Sequence, residues 1–178
     1  MPDRKYDVFG PFEIPRTENR QRVDRRGLRH FWNEVETLRQ KNEGLASASG
    51  CYIFAIRAGK GAKPWYVGQA TKTFRQECFT PHKLVHYNEV LTERKGTPIL
   101  FLLARMTPTG RFASKLGARE ADWAENLLIH HCLRANDDLL NIRGTAFSTE
   151  VVIPGLLNSP QARRSREAQD LRGLLNLD

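Results

Sequence analysis

The sequence predicts an α+β fold, a small central and mostly antiparallel β-sheet flanked by helices, and two observations carry that prediction. Hydrophobic periodicity runs helix, β, β, helix, β, helix and then a β/α tail. The two consecutive β-like runs are also close enough in the chain to pair as a hairpin. With 178 residues and 40% apolar content, the chain can bury a core without cross-links, so one domain is expected. Within it the sequence separates a basic N-terminal arm and helix over 1–48, a core over 49–147, and a strand/helix extension over 148–178 packed on the same domain.

The first two dozen residues, with prolines at 2, 11 and 15 and the basic run "RQRVDRR", read as an irregular arm. Leu28, Phe31, Trp32, Val35 and Leu38 recur at three- and four-residue steps, which predicts an amphipathic helix from Leu28 to about Lys41, ended by "NEGLASASG". "CYIFAI" and "WYVG", joined by a Gly/Lys/Pro loop, predict an antiparallel hairpin. Both faces of its first strand are apolar, so that strand should be central and covered. A helix starts at "TKTFRQECF", breaks before Pro81, and resumes with that proline at its first position through about Lys95. "TPILFLLARM" fits a buried central strand, and Ala118 to Ala135 a helix ended by "DDLLN". "EVVIPGLL" is read as a further strand and "SREAQDLRGLLNL" as a closing helix.

Lys and Arg number 28 against 20 Asp and Glu, a formal net charge of +8, which favours an anionic partner. No apolar run approaches the roughly 20 residues of a membrane span, and the N-terminus lacks the apolar core of a secretory signal, so a cytoplasmic protein with no membrane contact is expected. Cys51, Cys78 and Cys132 are odd in number and scattered, and read as reduced core residues.

The chemistry-bearing residues start with an anomaly. On the helix from Ala118, Ala121, Leu128, Ile129 and Cys132 all fall within about 60° of Glu125, which strands a carboxylate on an apolar face. Such a carboxylate requires a compensating cation, either a Lys or Arg side chain or a metal. In the hairpin, Tyr52 shares a strand face with Phe54 and Ile56, and Tyr66 stands just before Gly68, whose position in a strand marks a close approach. Between Thr71 and Tyr87 lie Lys72, Arg75, His82, Lys83, His86 and Tyr87. His82 and His86 can share a helical face, but no third ligand stands at a matching spacing, so a zinc site is not expected.

Taken together, "GCYIF", "WYVGQA", the arginine that follows, the glutamate in "AENLLI" and the asparagine in "LLN" resemble the GIY-YIG nuclease family. The ordered set spans Gly50 to Asn141, about half the chain. The resemblance implies a metal-dependent endonuclease that hydrolyses DNA phosphodiester bonds, with double-stranded DNA as partner and Mg²⁺ or Mn²⁺ as cofactor. By position it makes Tyr52 and Tyr66 active-site tyrosines, Arg75 the phosphate-contacting arginine, Glu125 the metal ligand and Asn141 a supporting polar residue. The family often places a His or Tyr one helical turn after the arginine. Phe79 stands there in this chain, and His86 is taken for that role, with His82 and Tyr87 as alternatives. Gly68, Lys72, Lys83 and Tyr87 complete the expected substrate-binding set. The general base is Tyr66, Tyr52 or His86. A phenol, with a pKa near ~10, would need cationic neighbours such as Lys72 or Lys83 to serve.

Overall fold

The computed structural model describes residues 4–141, with Ser165 and Asp170 alone beyond them. The chain divides into two compact units, 1–141 and 142–178. The strand expected in "EVVIPGLL" and the helix expected in "SREAQDLRGLLNL" fall outside the described residues apart from Ser165 and Asp170.

The first unit is built on a four-stranded antiparallel sheet in the order β1-β4-β2-β3. Its strands are β1 (Tyr6–Glu13), β2 (Gly50–Ala58), β3 (Gly61–Ala70) and β4 (Thr97–Arg105). The helices are α1 (Leu28–Thr37), α2 (Phe74–Glu77), α3 (Pro81–Glu93) and α4 (Ala118–Leu133). The α+β class, the hairpin, the central positions of β2 and β4, and the break before Pro81 all agree with the sequence reading. Thr73 ends the approach to α2 by accepting the Gln76 N–H at 3.2 Å, and Pro81 opens α3 where its missing N–H costs nothing.

The N-terminal segment corrects the sequence reading. Residues 6–13 are not an irregular arm but the edge strand β1, paired with β4 from Tyr6↔Arg105 to Glu13↔Ile99. Gly10 and Pro11 hide it. Proline cannot donate to a ladder and is tolerated in strands at edges and bulges, and the register shifts between Phe9 and Phe12. Gly10 sits there at φ +115°, where a Cβ would lie 2.7 Å from the Leu100 carbonyl oxygen.

Side-chain alternation splits β2 between two cores. On one face Tyr52, Phe54 and Ile56 join Phe31, Trp32 and Val35 of α1, Phe74 of α2, and Leu84, Tyr87 and Val90 of α3. On the other, α4 covers β3 and β2, with Ile129 and Cys132 packed on Val67 and Ile53. The helices α3 and α4 therefore lie on opposite faces of the sheet, and both reach the edge strand β3.

Candidate active site

Tyr52, Tyr66, Lys83, His86 and Glu125, among the residues singled out from the sequence, meet at this β3 edge. Tyr52 pairs with Gly68 and Phe54 with Tyr66, so Tyr52 and Tyr66 are diagonal neighbours on one face. Their rings stack with centroids 6.5 Å apart and planes 19° apart. Gly68 is what lets this happen: a Cβ there would sit 2.3 Å from the Tyr52 ring and hydroxyl. The close approach expected at Gly68 is thus the approach of Tyr52 itself.

From α3, His86 stacks on the outer side of Tyr66, centroids 5.6 Å apart. Lys83, one turn earlier, holds its Nζ 5.1 Å from the Tyr52 ring centroid. That ammonium donates to the Glu77 carbonyl oxygen at 2.7 Å and lies 3.7 Å from the Glu77 carboxylate. From the opposite face α4 brings Glu125, half-buried at the same edge and electrostatically coupled to both Lys83 and Tyr66.

The electrostatics are set mainly by burial. Desolvation and the neighbouring Asp122 carboxylate raise the Glu125 pKa, while Lys83 and the Gln69 backbone N–H pull it back. Lys83 is lowered, first by its own desolvation, against the pull of Glu77 and Glu125. Tyr66 is pushed up to about 12 by burial and then by the Glu125 charge. Burial likewise holds Tyr52, which is wholly buried, well above the usual phenol range. Among the described residues its hydroxyl has no hydrogen-bond partner of good geometry; it adjoins Tyr87, whose own O–H donates to the Cys78 carbonyl at 3.1 Å.

Glu125 answers the anomaly in the sequence only in part. Lys83 is the neighbouring cation, but among the described residues no Lys, Arg or His nitrogen lies within 4.0 Å of the Glu125 carboxylate. The donor set fits a hard divalent cation. Glu125 and Asp122, one helical turn apart, offer carboxylate oxygens, and Mg²⁺ is commonly held by one or two carboxylates completed by waters and phosphate oxygens. Among the described residues no three His, Cys, Asp or Glu side chains group together as a closed ligand cage, which is what a structural zinc would take.

Other expected residues stand elsewhere. Asn141 faces the open edge of β3, where its Oδ1 accepts the Val67 N–H at 2.9 Å and its Nδ2 donates to the Val67 carbonyl. It completes the ladder as a missing strand would, and so positions the strand that carries Tyr66 and Gly68. Tyr87 is fully buried, stacked on Phe54 at 4.2 Å, and belongs to the core. Arg75 is exposed and pairs with Glu36 of α1 at 3.6 Å; among the described residues no contact links Arg75 or the exposed Lys72 to the Tyr66–Glu125 group. Phe79 packs edge-on against Phe31, Trp32 and Tyr87.

Sequence reasoning missed four contributors. Asp122 and Gln69 flank Glu125, with Gln69 Nε2 donating to Asp122 Oδ1 at 3.1 Å. Glu77 anchors Lys83, and Asn136 donates to the Pro64 carbonyl at 2.6 Å on the same open edge as Asn141. Only Asp122 left a signal, its i, i+3 spacing from Glu125.

Comparison of the chain with family models, with curated proteins and with solved structures gives no match.

Proposed function

We propose that this protein is a Mg²⁺- or Mn²⁺-dependent endonuclease that hydrolyses DNA phosphodiester bonds through a GIY-YIG-type active site, and that it works in the cytoplasm. The observation that carries the reading is the convergence of Tyr66, His86, Lys83 and Glu125 on one sheet edge. They arrive from that edge strand and from helices on opposite faces of it, and the +8 charge suits a polyanionic substrate.

Each group has a task that its surroundings support. Glu125, with Asp122 beside it, would hold the cation, which when bound supplies Lewis-acid stabilisation of charge on the phosphate. Lys83, desolvated and next to Tyr52, offers a positive charge to a non-bridging phosphate oxygen. Arg75, exposed at α2, is available to an incoming phosphate once it leaves Glu36.

Burial orders the candidate bases. Tyr52 has no exposed surface, whereas Tyr66 is 8% exposed and borders Glu125. Of the two phenols Tyr66 is the one with surface to offer a substrate, so Tyr66 is favoured over Tyr52. Glu125 itself raises the Tyr66 pKa, so neutralising that carboxylate with a divalent cation acts in the direction of ionising the phenol. His86, stacked on Tyr66, is the rival base.

A second reading, a nucleic-acid-binding module with this fold but no catalysis, is favoured by one observation: Arg75 is tied to Glu36 rather than turned to the site. Nicking of supercoiled plasmid separates the two. The nuclease reading expects Mg²⁺-dependent relaxation that EDTA stops and that Glu125→Ala reduces at least ~10³-fold, as loss of a metal ligand should. Steeply salt-dependent binding with no cleavage at any Mg²⁺ or Mn²⁺ concentration would establish the second.

A further inference from the structure

We propose that the loop over residues 16–27, together with the first turn of α1, is a docking surface for the phosphate backbone of duplex DNA, separate from the reacting residues. The inference rests on the nuclease reading for the identity of the polyanion. Its physical basis lies in five arginines: Arg20, Arg22, Arg25, Arg26 and Arg29.

All five are exposed, and among the described residues none has a carboxylate within 4.0 Å. The acidic groups within the stretch do not neutralise them. Glu18 is exposed and among the described residues makes no ion pair, and Asp24 spends Oδ1 on the Arg26 backbone N–H at 2.9 Å. An arginine usually finds a carboxylate where one is in reach. Five in ten residues that do not are a concentrated, uncompensated positive charge.

The loop that carries four of them is built, and Arg29 stands on the first turn of α1 that follows it. Thr17 N–H donates to the Arg22 carbonyl at 2.9 Å and Arg20 N–H to the Thr17 carbonyl at 2.8 Å. Asn19 Oδ1 accepts from both Thr17 Oγ1 and the Gln21 N–H, which closes the tip. Val23 is buried, and Arg16 pairs with it across the base. The Arg16 guanidinium is turned inward to the Gly96 carbonyl at 2.8 Å, so it serves the scaffold.

Arg20 stands at φ 60°. Glycine or asparagine takes that conformation with less strain. An arginine kept there on a closed tip projects a guanidinium into solvent from a fixed backbone, which is what a phosphate contact uses and what a turn does not require.

The placement suits a substrate that also reaches the site. The Val23 N–H donates to Asn88 Oδ1 on α3 at 2.9 Å, which anchors the loop to the helix that carries Lys83 and His86. At 100° per residue Asn88 lies about 200° around α3 from His86. The loop and the site therefore flank α3, and a duplex about 20 Å across laid over its exposed back spans an α-helix of about 10 Å diameter.

The test is binding of a 25-base-pair duplex in EDTA, where no cleavage occurs, across a salt series. One variant carries Arg20→Asn, which keeps a residue tolerant of positive φ, with Arg22, Arg25, Arg26 and Arg29 each changed to Gln. A control of equal charge carries Lys60, Arg111, Lys115, Arg119 and Arg134 each changed to Gln, all exposed and outside the loop. Every phosphate that the protein no longer neutralises flattens the plot of log affinity against log salt by about 0.9. The loop variant should lose about 3 to 4 from the slope and bind at least about 100-fold more weakly near 0.1 M salt, with its thermal melt unchanged, while the control loses at most about 1. Equal losses in both variants, or an unchanged slope in the loop variant, overturn the proposal. So does loss of binding to phosphatidylserine vesicles with duplex binding kept. A wild type whose steep slope depends on the loop but which never cleaves sinks the nuclease reading alone. One that cleaves while the loop variant binds normally sinks the loop alone.

Discussion

Two glutamates on α4, five residues apart, have opposite surroundings. Glu120 is the end point of a network: it accepts from Arg105 Nε at 2.5 Å and from the Tyr6 hydroxyl at 3.2 Å, and Arg4 lies 3.8 Å away. Glu125 also borders a tyrosine and a cation, Tyr66 and Lys83, yet no direct ion pair reaches it among the described residues. Glu120 has its acceptor capacity filled by the fold. Glu125 is desolvated and left with capacity to spare, the condition in which a carboxylate binds a cation rather than holds a structure together.

The sharpest way to break that comparison is to remove the two carboxylates separately. Glu125→Gln should lower Mg²⁺-dependent cleavage at least ~10³-fold and leave folding intact, whereas Glu120→Gln should cost about 2 kcal/mol of stability and change cleavage less than about fivefold. Steady-state nicking rates and urea melts of both variants read the two effects. Similar losses of activity would erase the distinction.

The tyrosines extend the comparison. Tyr66→Phe should reduce the cleavage rate about 10² to 10³-fold if its phenol takes part in proton transfer. Tyr52→Phe removes a buried hydroxyl that lacks a well-formed partner, so it should be neutral or stabilise by up to about 1 kcal/mol. A Tyr66→Phe enzyme at the wild-type rate would transfer the proton role to His86.

A third test uses space alone. Gly68→Ala places a Cβ 2.3 Å from Tyr52 and should destabilise by about 1–3 kcal/mol. Gly61→Ala, in the same strand with nothing among the described residues within 4 Å of the added Cβ, should be near neutral by the same urea melts.

The smallest effect is one of pH. Glu125 has its pKa raised on folding above its ordinary value of 4.5, so the folded state binds more protons there than the unfolded one. Stability therefore falls as pH rises from 4.5 through the raised pKa, and the penalty is absent where both states are protonated. Glu125→Gln should melt above wild type at about pH 7 to 8 and level with it near about pH 4. Mg²⁺ should raise the melting temperature of the wild type and not of the variant.

How far these features were legible depended on sequence distance. Periodicity revealed α1, the hairpin and α4, and the stranded carboxylate at Glu125, because those patterns lie within single elements. The strand β1 was hidden because Gly10 and Pro11 interrupt its alternation at a bulge. The site showed its tyrosines and Glu125 but not their company. Gln69 meets Asp122 across 53 residues and Asn141 meets Val67 across 74, and nothing local encodes such pairings. Arg75 shows the converse, a residue whose order along the chain fits the pattern while its side chain is held by Glu36.

The central claim is that Glu125 is the ligand of a catalytic cation. The most direct measurement is an anomalous difference map from crystals soaked in MnCl₂ with a short phosphodiester. One strong peak on the Glu125 carboxylate, beside Tyr66, and none on Glu120 is the expected result. A protein that cleaves DNA in Mn²⁺ but shows no peak at Glu125, or shows it elsewhere, would contradict the claim.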